Sequence, residues 1–120
     1  MPLWTGAGVL AARSWVAQDQ SSLLSYSYNG NMITIDPVST ANPGWTEFLV
    51  AYNQFCSDRG GVPLMNQTFG LTRAMVRKAL GDRLHTFAQA RQNFDPGGRL
   101  FNEYFQDLLA DADADAAAGQ

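Results

Sequence analysis

Thr34-Ile35-Asp36-Pro37-Val38-Ser39-Thr40-Ala41-Asn42-Pro43-Gly44-Trp45 is the stretch that most limits how this chain can fold, because a β-type run enters it and a helix leaves it. From Trp45 the apolar residues fall at Trp45, Phe48, Leu49, Tyr52, Phe55 and Cys56, a single stripe at helical period. Asn42 before Pro43 suits a cap with proline in the first turn, and Gly60-Gly61 supplies the stop. Beyond that stop, Val62 to Phe69 reads as a strand that returns beside the first. Ser39 and Thr40 would then meet Asn66, Gln67 and Thr68 in one small polar area, which is the candidate site.

Upstream, Leu24, Tyr26 and Tyr28 alternate with Ser25 and Ser27, Asn29-Gly30 tolerates positive φ, and Met32 to Ile35 is apolar and β-branched. This pattern predicts a β-hairpin over Leu23 to Ile35 with a type I′ turn, its tyrosines packed on the sheet, and Asp36-Pro37 ending the second strand. Met1 to Gln18 reads as a flexible entry segment in which Val9 to Ala17 can form a short helix. Its Gly6-Ala7-Gly8 lacks the third glycine of a dinucleotide loop. Downstream, Thr72 caps a helix through Leu80, Gly81-Asp82 restarts it through Asn93, and Asp95-Pro96-Gly97-Gly98 turns the chain. Leu100, Phe101, Tyr104, Phe105, Leu108 and Leu109 then mark a last amphipathic helix. Ala110 to Gln120, without large side chains, is expected to fray. The expected fold class is α+β: a small antiparallel sheet, made of the hairpin and the returning strand, covered by helices and closed by a C-terminal helical hairpin.

Composition narrows the function. With 46% hydrophobic residues and 16% charged ones in 120 residues, the chain can bury a real core. Its net charge of −3 leaves no basic footprint for a phosphate backbone, so nucleic acid is not an expected partner. Cys56 is the single cysteine and His85 the single histidine, so an internal disulfide is excluded and a zinc cluster is not expected. A reducing, cytoplasmic location is the default, and no apolar run is long enough to span a bilayer. Cys56 reads as a small core residue, His85 as a surface or packing residue, and Arg73, Arg77, Lys78, Arg83 and Arg91 as solvated faces.

The ending Ala90-Arg91-Gln92-Asn93-Phe94-Asp95-Pro96-Gly97-Gly98-Arg99-Leu100-Phe101-Asn102-Glu103-Tyr104-Phe105 resembles the C-terminal signature of FAD-linked oxidases of the vanillyl-alcohol oxidase superfamily. The layout before it, a strand, a Gly-Trp helix, a Gly-Gly-x-Pro segment and a helix pair, is similar to the end of the cap domain in the sugar-lactone and alditol oxidase branch and in flavin-linked cholesterol oxidases. The resemblance runs from about Tyr28 to Leu109. In the lactone and alditol oxidases the segment after the Gly-Gly turn reads roughly Pro-His-Trp-Gly-Lys, with the lysine near substrate and flavin. Here Pro63 matches, but Leu64, Met65, Asn66 and Gln67 follow. The lysine's cation is therefore absent from this segment, which leans toward a less polar substrate.

The resemblance implies a C-terminal portion of an FAD-dependent oxidoreductase that oxidises a CH-OH group of an alcohol, a sugar lactone or a sterol-like substrate. It assigns Ser39, Asn66, Gln67 and Thr68 to the substrate side and Asn102 and Tyr104 to the cofactor side. Residues 1–70 would be a partial cap domain, 71–109 the helical segment that closes the flavin domain, and 110–120 a disordered tail. Because the family's glycine-rich FAD-phosphate domain is not part of this sequence, weak or no flavin binding is expected without a partner chain that carries it, and self-association is a second expectation. The alternative is a non-catalytic α+β interaction module in which the same polar residues tie off strand ends.

Overall fold

Helical packing holds this protein together, and the sheet is its smaller part. The computed structural model describes residues 10–38 and 42–118. Two strands, β1 (Leu10–Val16) and β2 (Met32–Val38), are followed by four helices: α1 (Trp45–Asp58), α2 (Arg73–Leu80), α3 (Asp82–Phe94) and α4 (Glu103–Ala118). The architecture is α+β, with a two-stranded antiparallel sheet and the last two helices paired as a C-terminal hairpin. No helix among the described residues is long and apolar enough to cross a membrane.

The core sits where α2, α3 and α4 meet. Val76 and Leu80 from α2, Leu84 and Ala88 from α3, and Leu108, Leu109 and Ala112 from α4 are buried together with Met65. On α2 and α4 these positions recur at three- and four-residue intervals, so each helix turns one face inward. Phe87, Phe101 and Phe105 pack around this cluster, with Leu24, Val62 and Leu71 reaching it from the connecting segments. Fully burying a side chain such as Leu109 or Val76 contributes about 1.5–3 kcal/mol. The helix boundaries follow local chemistry. Thr72 Oγ1 accepts the Met75 N–H at the start of α2, and the Asp95 carboxylate accepts the Arg99 and Leu100 N–H groups in the turn after α3.

Four expectations are corrected. The sheet partner of β2 is the early segment Leu10–Val16, with Leu10 opposite Val38 and Val16 opposite Met32, where a flexible segment or short helix was predicted. The tyrosine-serine run is a succession of turns: Tyr28 N–H donates to Ser25 O and Gly30 N–H to Ser27 O. Gly30 does not adopt positive φ, so a type I′ turn does not form at Asn29-Gly30. Arg83 of α3 supplies the reason. Its Nη1 donates to the carbonyls of Leu23 and Ser25 at 2.9 and 3.0 Å, and its guanidinium lies 4.2 Å from the Tyr28 ring centre. This grip uses backbone groups that a strand would need for its ladder. β2 also continues through Pro37 to Val38, which an edge strand allows when the proline nitrogen faces away from its partner.

The third correction concerns Val62 to Phe69, which is not a strand. Gln67 and Thr68 both donate their N–H to Leu64 O, closing a turn. The fourth concerns the end of the chain, where α4 runs on through the Ala/Asp segment to Ala118. Alanine is the best helix former, Ala112 is buried, and Asp113 is held by Arg91 at 2.9 Å with both side chains mostly buried. Asp107 and Asp111 pair with Arg73, and Asp111 also pairs with Arg77, so these arginines are bound rather than merely solvated.

Truncating Leu109 to alanine is expected to cost about 2–5 kcal/mol in urea denaturation, while Phe94→Ala, at a side chain 92% exposed, should change stability by about 0.5 kcal/mol or less.

Candidate functional site

The sheet faces a cleft with its even-numbered residues. Ser14, Val16, Met32 and Thr34 share that face, and α1 forms the opposite wall with Tyr52, Asn53, Cys56, Ser57 and Arg59. The floor is the segment from Gly60 to Leu71, and the cleft encloses about 590 Å³. None of α1's residues is buried to the degree of the core, so its aromatic stripe is the side of a groove rather than the inside of a domain. Cys56 lines this cleft, half-buried, and is not part of the core.

Three contacts fix the walls. The Tyr52 hydroxyl donates to the Ile35 carbonyl at 3.0 Å, tying α1 to β2. Asn53 Nδ2 donates to Phe69 O at 2.6 Å, tying α1 to the floor. At the end of α1, Gly61 N–H donates to Cys56 O at 2.8 Å. A Cβ at Gly61 would lie 2.9 Å from that same oxygen, so glycine is required for the chain to turn back under the helix. Met65 anchors the floor from below: its side chain is buried in the helical core, and its carbonyl accepts the Tyr104 hydroxyl at 2.6 Å.

Gln67 and Thr68 line the same cleft as Thr34 and Asp36 of β2, from a turn and not from a paired strand, and Thr40, one of the residues expected to meet them, lies outside the described residues. Asn66 is exposed on the turn beside them and is not part of the lining. Ser39 lies outside the described residues. Asn102 and Tyr104 sit apart from the cleft lining: Asn102 Oδ1 accepts the Phe105 N–H at the start of α4, and Tyr104 holds Met65. Arg59 was not singled out in the sequence. It is the one cation in the described lining, folded back with its guanidinium 3.6 Å from the Phe55 ring centre. The four-residue spacing from Phe55 was the signal that could have placed it.

Among the described residues there is no glycine-rich strand-to-helix loop of the kind that cradles the diphosphate of FAD, the α2 N-terminus is closed by Thr72, and the Arg59 guanidinium is stacked on Phe55. The cleft suits a small molecule with hydroxyl groups: Gln67, Thr68, Thr34 and Ser14 offer neutral donors and acceptors beside the apolar Val16, Met32 and Leu71.

Burial above all, then the hydrogen bond and charge of Cys56 and the charge of Asp36, push the Tyr52 phenol up to about 12. The folded state therefore holds this proton more tightly than the unfolded chain. The associated stability is fully present below the ordinary tyrosine value of about 10 and is lost as pH rises toward about 12. Tyr52→Phe should flatten that alkaline decline in a pH series of urea denaturations, and at neutral pH should cost about 0.5–1.5 kcal/mol for the bond to Ile35.

No curated protein and no solved structure matches the chain. Residues 15–108, which take in β1 from Trp15, all of the cleft lining except Ser14 and most of the helical core, match the family described as D-arabinono-1,4-lactone oxidase. The chain thus belongs to the D-arabinono-1,4-lactone oxidase family, whose members are FAD-linked oxidoreductases of sugar lactones.

Proposed function

We propose that this chain forms the substrate side of an FAD-dependent oxidoreductase acting on a CH-OH group, and that the groove between the sheet and α1 receives the substrate. The observation that carries this reading is the placement of Gln67 and Thr68 in the wall of a cleft of about 590 Å³ within the family-matched region. The Gln67 amide and the Thr68 hydroxyl would orient ring hydroxyls of a lactone or related alcohol, while Val16, Met32 and Leu71 exclude water from its carbon face. Asn66, exposed on the same turn beside Gln67, and Ser39 are assigned to the same side. A neutral amide stabilises a developing alkoxide only modestly, so these groups position the substrate and do not drive its oxidation. Asn102 and Tyr104 have their side-chain groups engaged with backbone, and no chemical step is placed on them.

FAD, which the family uses, would be held by polypeptide other than the described residues, because these offer no cradle for its diphosphate. A partner chain or a further segment would bring it to the open side of the cleft.

Titrating the full chain with D-arabinono-1,4-lactone should shift the backbone NMR signals of Gln67 and Thr68, and Gln67→Ala should weaken binding by about fivefold, the worth of one neutral hydrogen bond of about 1 kcal/mol. Shifts confined to residues away from the cleft would overturn the assignment of the groove. Separately, the purified chain mixed with FAD should show no stoichiometric flavin absorbance after gel filtration. A chain that retains flavin would overturn the division of labour while leaving the substrate groove standing.

A further inference from the structure

The two edges of the small sheet are not equivalent. Pro37 has no N–H, so its nitrogen must face away from β1, and its pairing with Ala11 is of the non-hydrogen-bonded kind. Backbone direction alternates along a strand. The outward groups of β2 are therefore those of Ile33, Ile35 and Pro37, and the outward groups of β1 are those of Ala11, Arg13 and Trp15, their register partners. The Tyr52 hydroxyl bound to Ile35 O agrees with this assignment.

It follows that the outer edge of β2 is closed. One of its donors is missing at Pro37, and one of its acceptors is taken by α1 at Ile35. The outer edge of β1 is open: among the described residues, no hydrogen bond beyond the ladder involves the backbone of Arg13 or Trp15. On the odd-numbered face of the sheet, Trp15, Ile33 and Ile35 are 70%, 60% and 51% exposed, with Ile33 and Ile35 also bordering the cleft. A two-stranded sheet with one bare apolar face is marginal, and three or more strands are normally needed for independent stability. An open, unprotected edge of this kind is a template for another strand.

We propose that the open edge of β1 pairs with β1 of a second copy of this chain, antiparallel about a two-fold axis at Ser14, to give a continuous four-stranded sheet. Charge selects the alignment. Centred on Arg13, the pairing would set two like charges opposite each other, which is unfavourable. Centred on Ser14, it sets Arg13 opposite Trp15 of the other copy on the exposed face, an arrangement suited to a cation–π contact. It also matches outward groups with outward groups, as the ladder requires. Because the β2 edges are closed, the assembly stops at two copies and does not grow into a fibre. Both clefts then lie on one face of the joined sheet, leaving their open sides free for the substrate and flavin roles proposed above. The pairing does not depend on those roles.

Arg13→Pro tests the edge, since the Arg13 N–H points outward and its loss leaves the β1–β2 ladder intact. Light scattering behind gel filtration should give twice the 13.1 kDa chain mass for the unaltered chain and the single mass for Arg13→Pro, with unchanged far-ultraviolet circular dichroism. Ser14→Cys in a Cys56→Ala background, oxidised gently, should run as a covalent dimer, because a non-hydrogen-bonded pair on the axis brings the two Cα atoms within disulfide range. The crosslink decides the matter even where the proline variant does not fold. A monomeric unaltered chain at sub-millimolar concentration, a dimer that survives Arg13→Pro with its fold intact, or a dimer that does not crosslink at position 14 would each overturn the proposal.

Discussion

Met65 is the joint on which the molecule's two halves depend. Its side chain is buried among Val76, Leu80, Leu84 and Leu109, while its carbonyl is held by Tyr104 of α4. The turn that follows carries Gln67 and Thr68 into the cleft. A core contact and a site wall are thus separated by two residues of backbone. The helical core gives the floor its rigidity, because a closed turn on a buried anchor has little freedom to open. Without that anchor the segment from Gly60 to Leu71 would be a long surface loop, and the groove would have only two walls.

Charge organises the helical half in a second way. The acids of α4 and the bases of α2 and α3 face each other: Asp107 and Asp111 meet Arg73 and Arg77, and Asp113 meets Arg91. The exposed pairs contribute little individually. The Arg91 pair differs because its side chains are only 17% and 18% exposed, and because the same guanidinium also lies 4.2 Å from the Phe101 ring centre. Gln92 adds a bond to the Asp113 carbonyl. These contacts fix the register of α4 against α3, and so keep an alanine-rich helix that buries few large side chains in its last turns in place.

The sheet half is built differently. α1 carries a stacked aromatic row, Trp45 on Phe48 on Tyr52, and reaches β2 through one hydroxyl. It is attached more to its neighbours' backbone than to a core. That is what leaves a groove open between α1 and the sheet.

The helices were legible in the amino-acid order because their signals are local: the stripe from Trp45 to Cys56, the Thr72 cap, the Gly81 break and the Asp95 turn each act within one or two helical turns. The family signature around Asp95-Pro96-Gly97-Gly98 was legible for the same reason, whereas Gln67 and Thr68 were legible only as polar groups ending an apolar run and not as the lining of a groove. Which segment pairs with β2 was not. Leu23 to Tyr28 has the better alternation, but a strand is chosen by partners, and Arg83, some 60 positions downstream, takes the carbonyls that strand would have used. The fate of Val62 to Phe69 was likewise decided at a distance, by a methionine drawn into the core and by an α1 tyrosine already on the edge of β2. Local periodicity fixed the helices of this protein. Long-range competition for backbone groups settled its strands and the shape of its cleft.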